Sequence, residues 1–398
     1  NRSTISMKDI FDSEGNLVEG GKELLERKAN GYISFVKGDN PYSFPFRVWP
    51  YDFNPEKTLL DIPYPEYSLT GDKIGKKIKH LSLFINELSG YQGLGYSYII
   101  NNLSSQSKGV IKNLDSLGYI ELQKPLEALN IVYPNNNLAE EMLDADIQVE
   151  DIVGKNGLFK TMDFKTTITP PFKGDFEYKS EILDTFGRIF SPENISTFSA
   201  KISAITQNIM NSEGVCLIYT HYVDGGVVPI ALALEELGIT RYGDTNSLFK
   251  KSPVLPLDLR DYTNNSNKDA IHAKYIAITG DRTISPNNKK EISAATNSDN
   301  INGNNVKVII ITQAGSEGID FKFVRQVHIM EPWYNLSRIE QIIGRGVRNC
   351  SHILLPFEKR NVQIYLYGSI LIEKEEEAAD LYVYRIAEDK AEKIGKIT

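Results

Sequence analysis

From Val215 onward, short runs of β-branched and apolar residues alternate with stretches whose apolar positions recur every three to four residues. That alternation predicts a parallel sheet whose strands are joined by crossover helices. "VCLIYT" at 215–220 reads as a buried strand that leads through Gly225 and Gly226 into the helix "VVPIALALEELG", which Gly238 terminates. "YIAIT" (275–279), "VKVIIIT" (306–312), "RQVHIM" (325–330) and "VQIYLYG" (362–368) supply four more strands. Pro286 suits the first turn of a helix running to about Ala295, and the polar "TNSDNINGNN" after it reads as a surface loop. "LSRIEQIIGRGV" (336–347) predicts a further helix.

The first 200 residues lack this rhythm. "DKIGKKIKHLSLFINELSGY" (72–91) and "STFSAKISAITQNIMNSEG" (196–214) read as amphipathic helices, with "TITPPFKGDFEY" (167–178) as a loop between them. The aromatic, proline-rich stretch at 40–68 reads as an extended, packed connector, and no repeat of 20 to 50 residues is evident. The run "EKEEEAAD", from Glu373, reads as the acidic start of a C-terminal helix. That helix pattern continues to the last residue and the chain begins without Met, as expected of a piece of a longer polypeptide.

Length and composition narrow the class. A chain of 398 residues with 41% apolar content can fill two or three ordinary cores. Its longest apolar runs are far shorter than the ~20 residues a membrane span needs, so no membrane partner is expected. Two cysteines, Cys216 and Cys350, and five scattered histidines offer neither a disulfide framework nor zinc-ligand spacing, so no protein-bound metal is expected. A net charge of −8 excludes a polybasic binder but leaves room for a locally basic groove.

The candidate chemistry lies between 311 and 352. A strand ending in Thr312 and a loop through Gly315 and Gly318 to Asp320 would set amides and a hydroxyl at the carboxyl edge of the sheet, where such folds take ligands. On the helix that follows, Gln341, Arg345 and Arg348 are spaced i, i+4 and i+7, so all three are expected on one face. Two adjacent guanidiniums suit a terminal phosphate whose charge shifts during phosphoryl transfer. The bland alternative for the arginines is a solvated face with surface ion pairs. For Thr220 and His221 a turn cap at a strand end competes evenly with a phosphate contact. His328 and His272 read as packed histidines. Tyr42, Phe44, Phe46, Trp49 and Tyr51 could stack on bases, but their interleaved prolines favour packing, and Arg47 among them is undecided.

"TQAGSEGID" and "QIIGRGVR" resemble motifs V and VI of superfamily 2 helicases and translocases, and 215–238 resembles the motif IV strand and helix. With "GYISFVKGDNPYSFPFR", "PLEALNIVYPN" and "EEEAADLYVYRIAEDKAEKIGK", the chain is similar to helicases of large nucleocytoplasmic DNA viruses, in the group containing the small subunit of the poxvirus early transcription factor. The resemblance is strongest over 200–396. It implies a RecA-like parallel sheet flanked by helices, preceded by a mixed, mostly helical inserted bridging region. Residues 1–199 would be linker and bridging region, 200–370 the second RecA-like domain, and 371–398 a helical extension.

The same resemblance implies roles. Arg345 and Arg348 would be arginine fingers, Gln341 would couple nucleotide to strand, and Gly318 and Asp320 would line the ATP side. Thr312, with Thr220, His221 and Gly280 as weaker candidates, would contact a nucleic-acid backbone. Glu317 stands where many RNA helicases have Arg, and "GSEGID" is nearer the Swi/Snf-type duplex translocases, which favours double-stranded DNA. No G-x-x-x-x-G-K-[ST] loop or D-E-x-H box occurs, so ATP and Mg²⁺ would be held mainly by a domain outside this chain, and the chain alone is expected to be inactive. A viral RNA polymerase or transcription factor subunit is the implied protein partner, in a cytoplasmic viral factory or virion. Two other readings stay open: a catalytically passive docking module, and an RNA helicase in mRNA maturation.

Overall fold

The computed structural model describes residues 5–12, 17–30, 42–106, 121–139, 147–164, 175–243, 247–282, 284–285, 288–313, 318–372 and 374–396. Gly315, Glu317, Pro286, Glu373 and most of the loop predicted at 167–178 lie outside them.

Eight strands form one sheet, and every pairing in it is parallel. They are β1 (Phe46–Val48), β2 (Phe84–Leu88), β3 (Val215–Tyr219), β4 (Thr240–Arg241), β5 (Lys274–Ile278), β6 (Val308–Ile311), β7 (Val324–Ile329) and β8 (Asn361–Leu371). The order is β1-β8-β7-β3-β6-β5-β4, with β2 pairing the second half of β8 from Tyr367↔Phe84 to Leu371↔Leu88. The five strands predicted from Val215 onward are all present. The fold class is therefore a parallel sheet flanked by helices, as the pattern implied.

The unbroken apolar runs follow from burial on both faces. Cys216, Ile218, Val308 and Ile310 pack on one side with α1 (Ala200–Met210) and α2 (Val228–Glu236). Their neighbours Leu217, Tyr219, Ile309 and Ile311 pack on the other with α3 (Asn288–Thr296), α4 (Leu336–Gly346) and α5 (Ala379–Gly395). A third cluster joins the helices Gly90–Gln106 and Gln123–Asn130 to the start of α5 through Leu126, Leu129, Tyr382 and Val383.

Three local expectations are corrected. The helix predicted over 72–91 is instead an irregular segment and β2, with a helix starting only at Gly90. In "LSLFI", Phe84 packs on one face of the sheet and Leu83 and Ile85 on the other, the two-sided burial of a strand rather than the single stripe of an amphipathic helix. The connector at 40–68 is packed as expected, but it contributes β1 and a short helix, Pro50–Phe53, opened by its proline. The sheet thus draws strands from both sides of residue 200. The acidic run does not start the C-terminal helix. Glu375 and Glu376 pair with Glu66 and Tyr67, while α5 begins at Ala379.

Candidate functional site

Asn335 caps α4 by accepting from the Ser337 amide at 3.0 Å, and Ile339, Ile342 and Ile343 anchor the helix on the sheet. Its last turn brings Arg345 against the segment entering β7: the Phe321 amide donates to the Arg345 carbonyl at 2.9 Å. The Arg345 guanidinium donates to the Ile319 carbonyl at 3.4 Å and lies 3.9 Å from Asp320 Oδ1. Arg348 Nη2 is 2.5 Å from the same oxygen. The helix stops at Gly346, so Arg348 sits on the exit loop, and the expected single face of Gln341, Arg345 and Arg348 does not exist. What unites the arginines is Asp320, not helical spacing. Gln341 is exposed one turn before Arg345. Gly318 is also exposed, with φ +77°, a conformation costly for any side-chain-bearing residue, so the loop can reach Asp320 only through glycine or at the cost of strain.

Asp320 is 59% exposed, and an ion pair that open is weak. An incoming phosphate can therefore replace the carboxylate between the two guanidiniums at little cost, which suits a site that must bind and release a charged group.

The other sequence-predicted residues lie apart from this cluster, at the carboxyl ends of adjacent strands: Thr220 after β3, Gly280 after β5, Thr312 after β6. Backbone bonds hold them in line, with the Thr220 amide donating to Ile311 O and the Thr312 amide to Ile278 O, each at 3.2 Å. Gly280 is exposed, whereas Thr312 is buried, at 6% exposure. Thr220 is wholly buried, and its hydroxyl donates inward to Glu331 Oε1 at 2.7 Å. It is the turn cap of the two readings above and cannot itself touch a nucleic acid. His221 is half-buried beside Trp333 at 5.3 Å between ring centroids, and burial followed by the nearby Arg338 charge lowers its pKa.

Sequence reasoning missed the polar cluster beneath this edge. Glu331, at the end of β7, accepts from the Thr220 hydroxyl, the His221 amide (2.9 Å) and the Asn130 amide group. Lys201 Nζ donates to Asn130 Oδ1 at 3.2 Å and Met330 O at 2.7 Å, and lies 3.6 Å from Asp380 Oδ2. Burial lowers the pKa of Lys201 and raises that of Glu331. One signal was available: Lys201 is four residues from Ile205 on the apolar stripe of α1, where a solvated lysine does not belong.

Gly226 is tied to the same cluster, since a Cβ there would lie 2.0 Å from Thr220 Oγ1. Gly226→Ala is expected to push the hydroxyl off Glu331 and destabilise the fold by about 1–3 kcal/mol. Urea unfolding measures it, and an unchanged midpoint would remove Gly226 from the argument.

Of the aromatic cluster at 42–51, Tyr42 and Phe46 are exposed rather than packed, at 77% and 48%. Arg47 pairs with Glu340 of α4 at 2.7 Å, Trp49 and Phe44 pack on the core, and Phe46 meets Phe357 edge-on. His328 is fully buried between Gln326 and Tyr367, and burial pushes its pKa down to about 3. Cys216 and Cys350 are free. Among the described residues no group of three or more His, Cys, Asp or Glu side chains could hold a metal ion, and no helix is long and apolar enough to cross a membrane.

Residues 256–350 match the helicase conserved C-terminal domain family. The chain's relatives are NPH-I termination factor homologs and helicases of large DNA viruses. It is 30% identical over 190 residues to a termination factor NPH-I homolog of African swine fever virus, covering 44% of this chain and 26% of that protein. It is 29% identical over 177 residues to a protein of Acanthamoeba polyphaga mimivirus provisionally named an ATP-dependent RNA helicase, covering 44% and 27%. With a provisionally named helicase of invertebrate iridescent virus 3 the identity is 29% over 257 residues, covering 63% and 24%. The matched segments thus span about a quarter of each relative's length. A solved structure, the C-terminal part of the Fun30 ATPase domain, aligns at 13% identity and a TM-score of 0.41, over 76% of this chain and 87% of that one.

Proposed function

We propose that this chain is the C-terminal half of an ATP-dependent helicase or translocase acting on double-stranded DNA during viral transcription. The observation that carries the reading is the pair Arg345 and Arg348 gathered on the exposed Asp320 carboxylate. In the intact enzyme the γ-phosphate of ATP would take the carboxylate's place, and the guanidiniums would stabilise the charge that develops as the phosphoryl group transfers. Mg²⁺ would be held mainly by the other ATPase domain, neutralising phosphate charge there. Residues 200–370 then act as the second RecA-like domain, and the earlier residues as the bridge to the first.

On the opposite, carboxyl edge of β6 and β5, Thr312 and Gly280 would meet phosphates, contacts that position a strand without reading its sequence. Opening and closing of the two domains would move that edge along the backbone. The protein would work in a cytoplasmic viral factory or virion with a viral polymerase or transcription factor subunit as partner, a reading that rests on the motif resemblance alone. The name of the mimivirus relative supports a second reading, an RNA helicase. The intact arginine pair speaks against a passive docking module.

ATP hydrolysis by the full-length polypeptide, with duplex DNA, single-stranded DNA or RNA, tests the reading. Stimulation by duplex DNA is expected; stimulation by RNA alone would install the second reading, and inertness with every nucleic acid would end both. Thr312→Ala is expected to lower nucleic-acid stimulation severalfold, the loss of one charge-assisted hydrogen bond, with basal hydrolysis kept. An unchanged response would take Thr312 off the strand path.

A further inference from the structure

The turn from Thr220 to Gly225, which opens the carboxyl edge, is held by three side chains distant in sequence. Glu331 takes the Thr220 hydroxyl and the His221 amide. Tyr133 donates its hydroxyl to Asp224 O at 2.7 Å. Asn130 does more: its amide group donates to Gly225 O at 3.1 Å and to Glu331, while its carbonyl oxygen accepts from Lys201. It is fully buried and ends the helix Gln123–Asn130, so it has one orientation and spends both ends of its amide. Glu331 and Lys201, a buried anion and a buried cation, are joined through it.

We propose that Asn130 is a positioning residue: it locks Glu331 and Gly225 together, and so fixes the turn that sets the nucleic-acid edge of the sheet. The functional part rests on the reading of that edge given above; the lock itself does not. It makes the region before residue 200 a determinant of a site whose contacts come from after it. A partial donor deficit at this hub is costly, because no water replaces a lost bond at a fully buried atom.

The test exploits the chemistry of the pair. Asn130→Asp sets two carboxylates against each other, and Glu331→Gln leaves one acceptor oxygen for the three donors that Glu331 serves with two, the Asn130 amide group, the Thr220 hydroxyl and the His221 amide. In the double variant the carboxylate now at position 130 still accepts from Lys201, and the amide now at position 331 donates to that carboxylate, while Gly225 O stays without the donor it has in the unaltered chain. The contact re-forms with its polarity reversed and the total charge unchanged. Amide hydrogen exchange of residues 220–225 is read in the chain itself, against the central strand β6. Each single variant is expected to speed exchange in the turn at least tenfold more than in β6, and the double variant to recover the part held through position 331, at Thr220 and His221, but not the part held through Gly225. A uniform rise across turn and β6, or no recovery in the double variant, would overturn the lock and leave only a stabilising contact. A single variant that will not fold is replaced by Thr220→Val, which removes one donor to Glu331; protection of the turn unchanged there would also overturn it.

Affinity for a duplex DNA oligonucleotide is measured in parallel. A tenfold loss in the single variants that returns in the double supports the positioning of the nucleic-acid edge. Failure of the unaltered chain and of the full-length polypeptide to bind any nucleic acid would reject the functional reading, while the exchange data still decide the lock.

Discussion

Arg345→Ala in the full-length polypeptide is expected to reduce ATP turnover by about 10³-fold while ATP affinity changes little. The guanidinium is already aimed by backbone: the Arg345 carbonyl accepts from Phe321, and its side chain touches Ile319 O and Asp320. Little ordering then remains to be done when a phosphate arrives, and the interaction grows as charge develops in the transition state. Arg348→Ala should fall in the same direction, because the two arginines share one carboxylate. Arg345→Lys keeps the charge but loses the planar fork and should recover only a minor part of the rate. Stability should hardly move, since an ion pair this exposed contributes about 0–1 kcal/mol. Normal turnover by Arg345→Ala in a folded protein would dismiss the arginine-finger assignment, and an equal loss in ATP affinity would mean ground-state binding instead.

The order of residues from Thr312 to Arg348 carried this assignment; the structure joins Arg345 and Arg348 on Asp320 and leaves Gln341 and Thr312 outside that contact. Helical spacing placed Arg348 on α4 although glycine is a stop signal, and which of the two glycines in "GRGVR" ends the helix is not decided locally. The reason is tertiary: a Cβ at 346 would lie 3.0 Å from Val324, so the small residue lets the helix end pack against the start of β7. The five longer strands from Val215 on were legible because each is buried on both faces and bounded by turn residues, whereas the two-residue β4 was missed. β2 was not, because its lysine-rich approach and the apolar run after it fit a helical stripe as well as a strand, and only the partner β8 decides between them. The polar cluster was least legible. Asn130, Lys201, Glu331 and Asp380 are 71, 130 and 49 residues apart in succession by number, so no local spacing relates them.

Lys201→Met is expected to destabilise the folded chain by about 3–5 kcal/mol, the cost of leaving a buried charge without its partner. Lys201 is 1% exposed, and its ammonium is the cation nearest both Asp380, at 3.6 Å, and the Glu331–Asn130 contact. Asp380 also accepts from the Ser369 amide at 3.0 Å and hydroxyl at 2.7 Å, tying α5 to β8, so its charge cannot turn to solvent when the lysine goes. The loss reflects the orphaned charge more than the strength of the pair. Replacing both partners, as in Lys201→Met with Asp380→Asn, should therefore cost less than Lys201→Met alone. The loss should also depend on pH. Burial already raises the Glu331 pKa, and the Lys201 charge is the largest influence opposing that rise. Without it the folded-state value climbs further above the unfolded one, so the folded protein holds its proton more tightly. Such a group favours folding at low pH and loses that contribution as pH rises through the folded value. Urea unfolding should accordingly give Lys201→Met a smaller deficit at about pH 5 than at about pH 7, relative to the unaltered chain. An equal deficit at both would mean that Glu331 does not feel the lysine, and the buried cluster would then be two separate contacts rather than one.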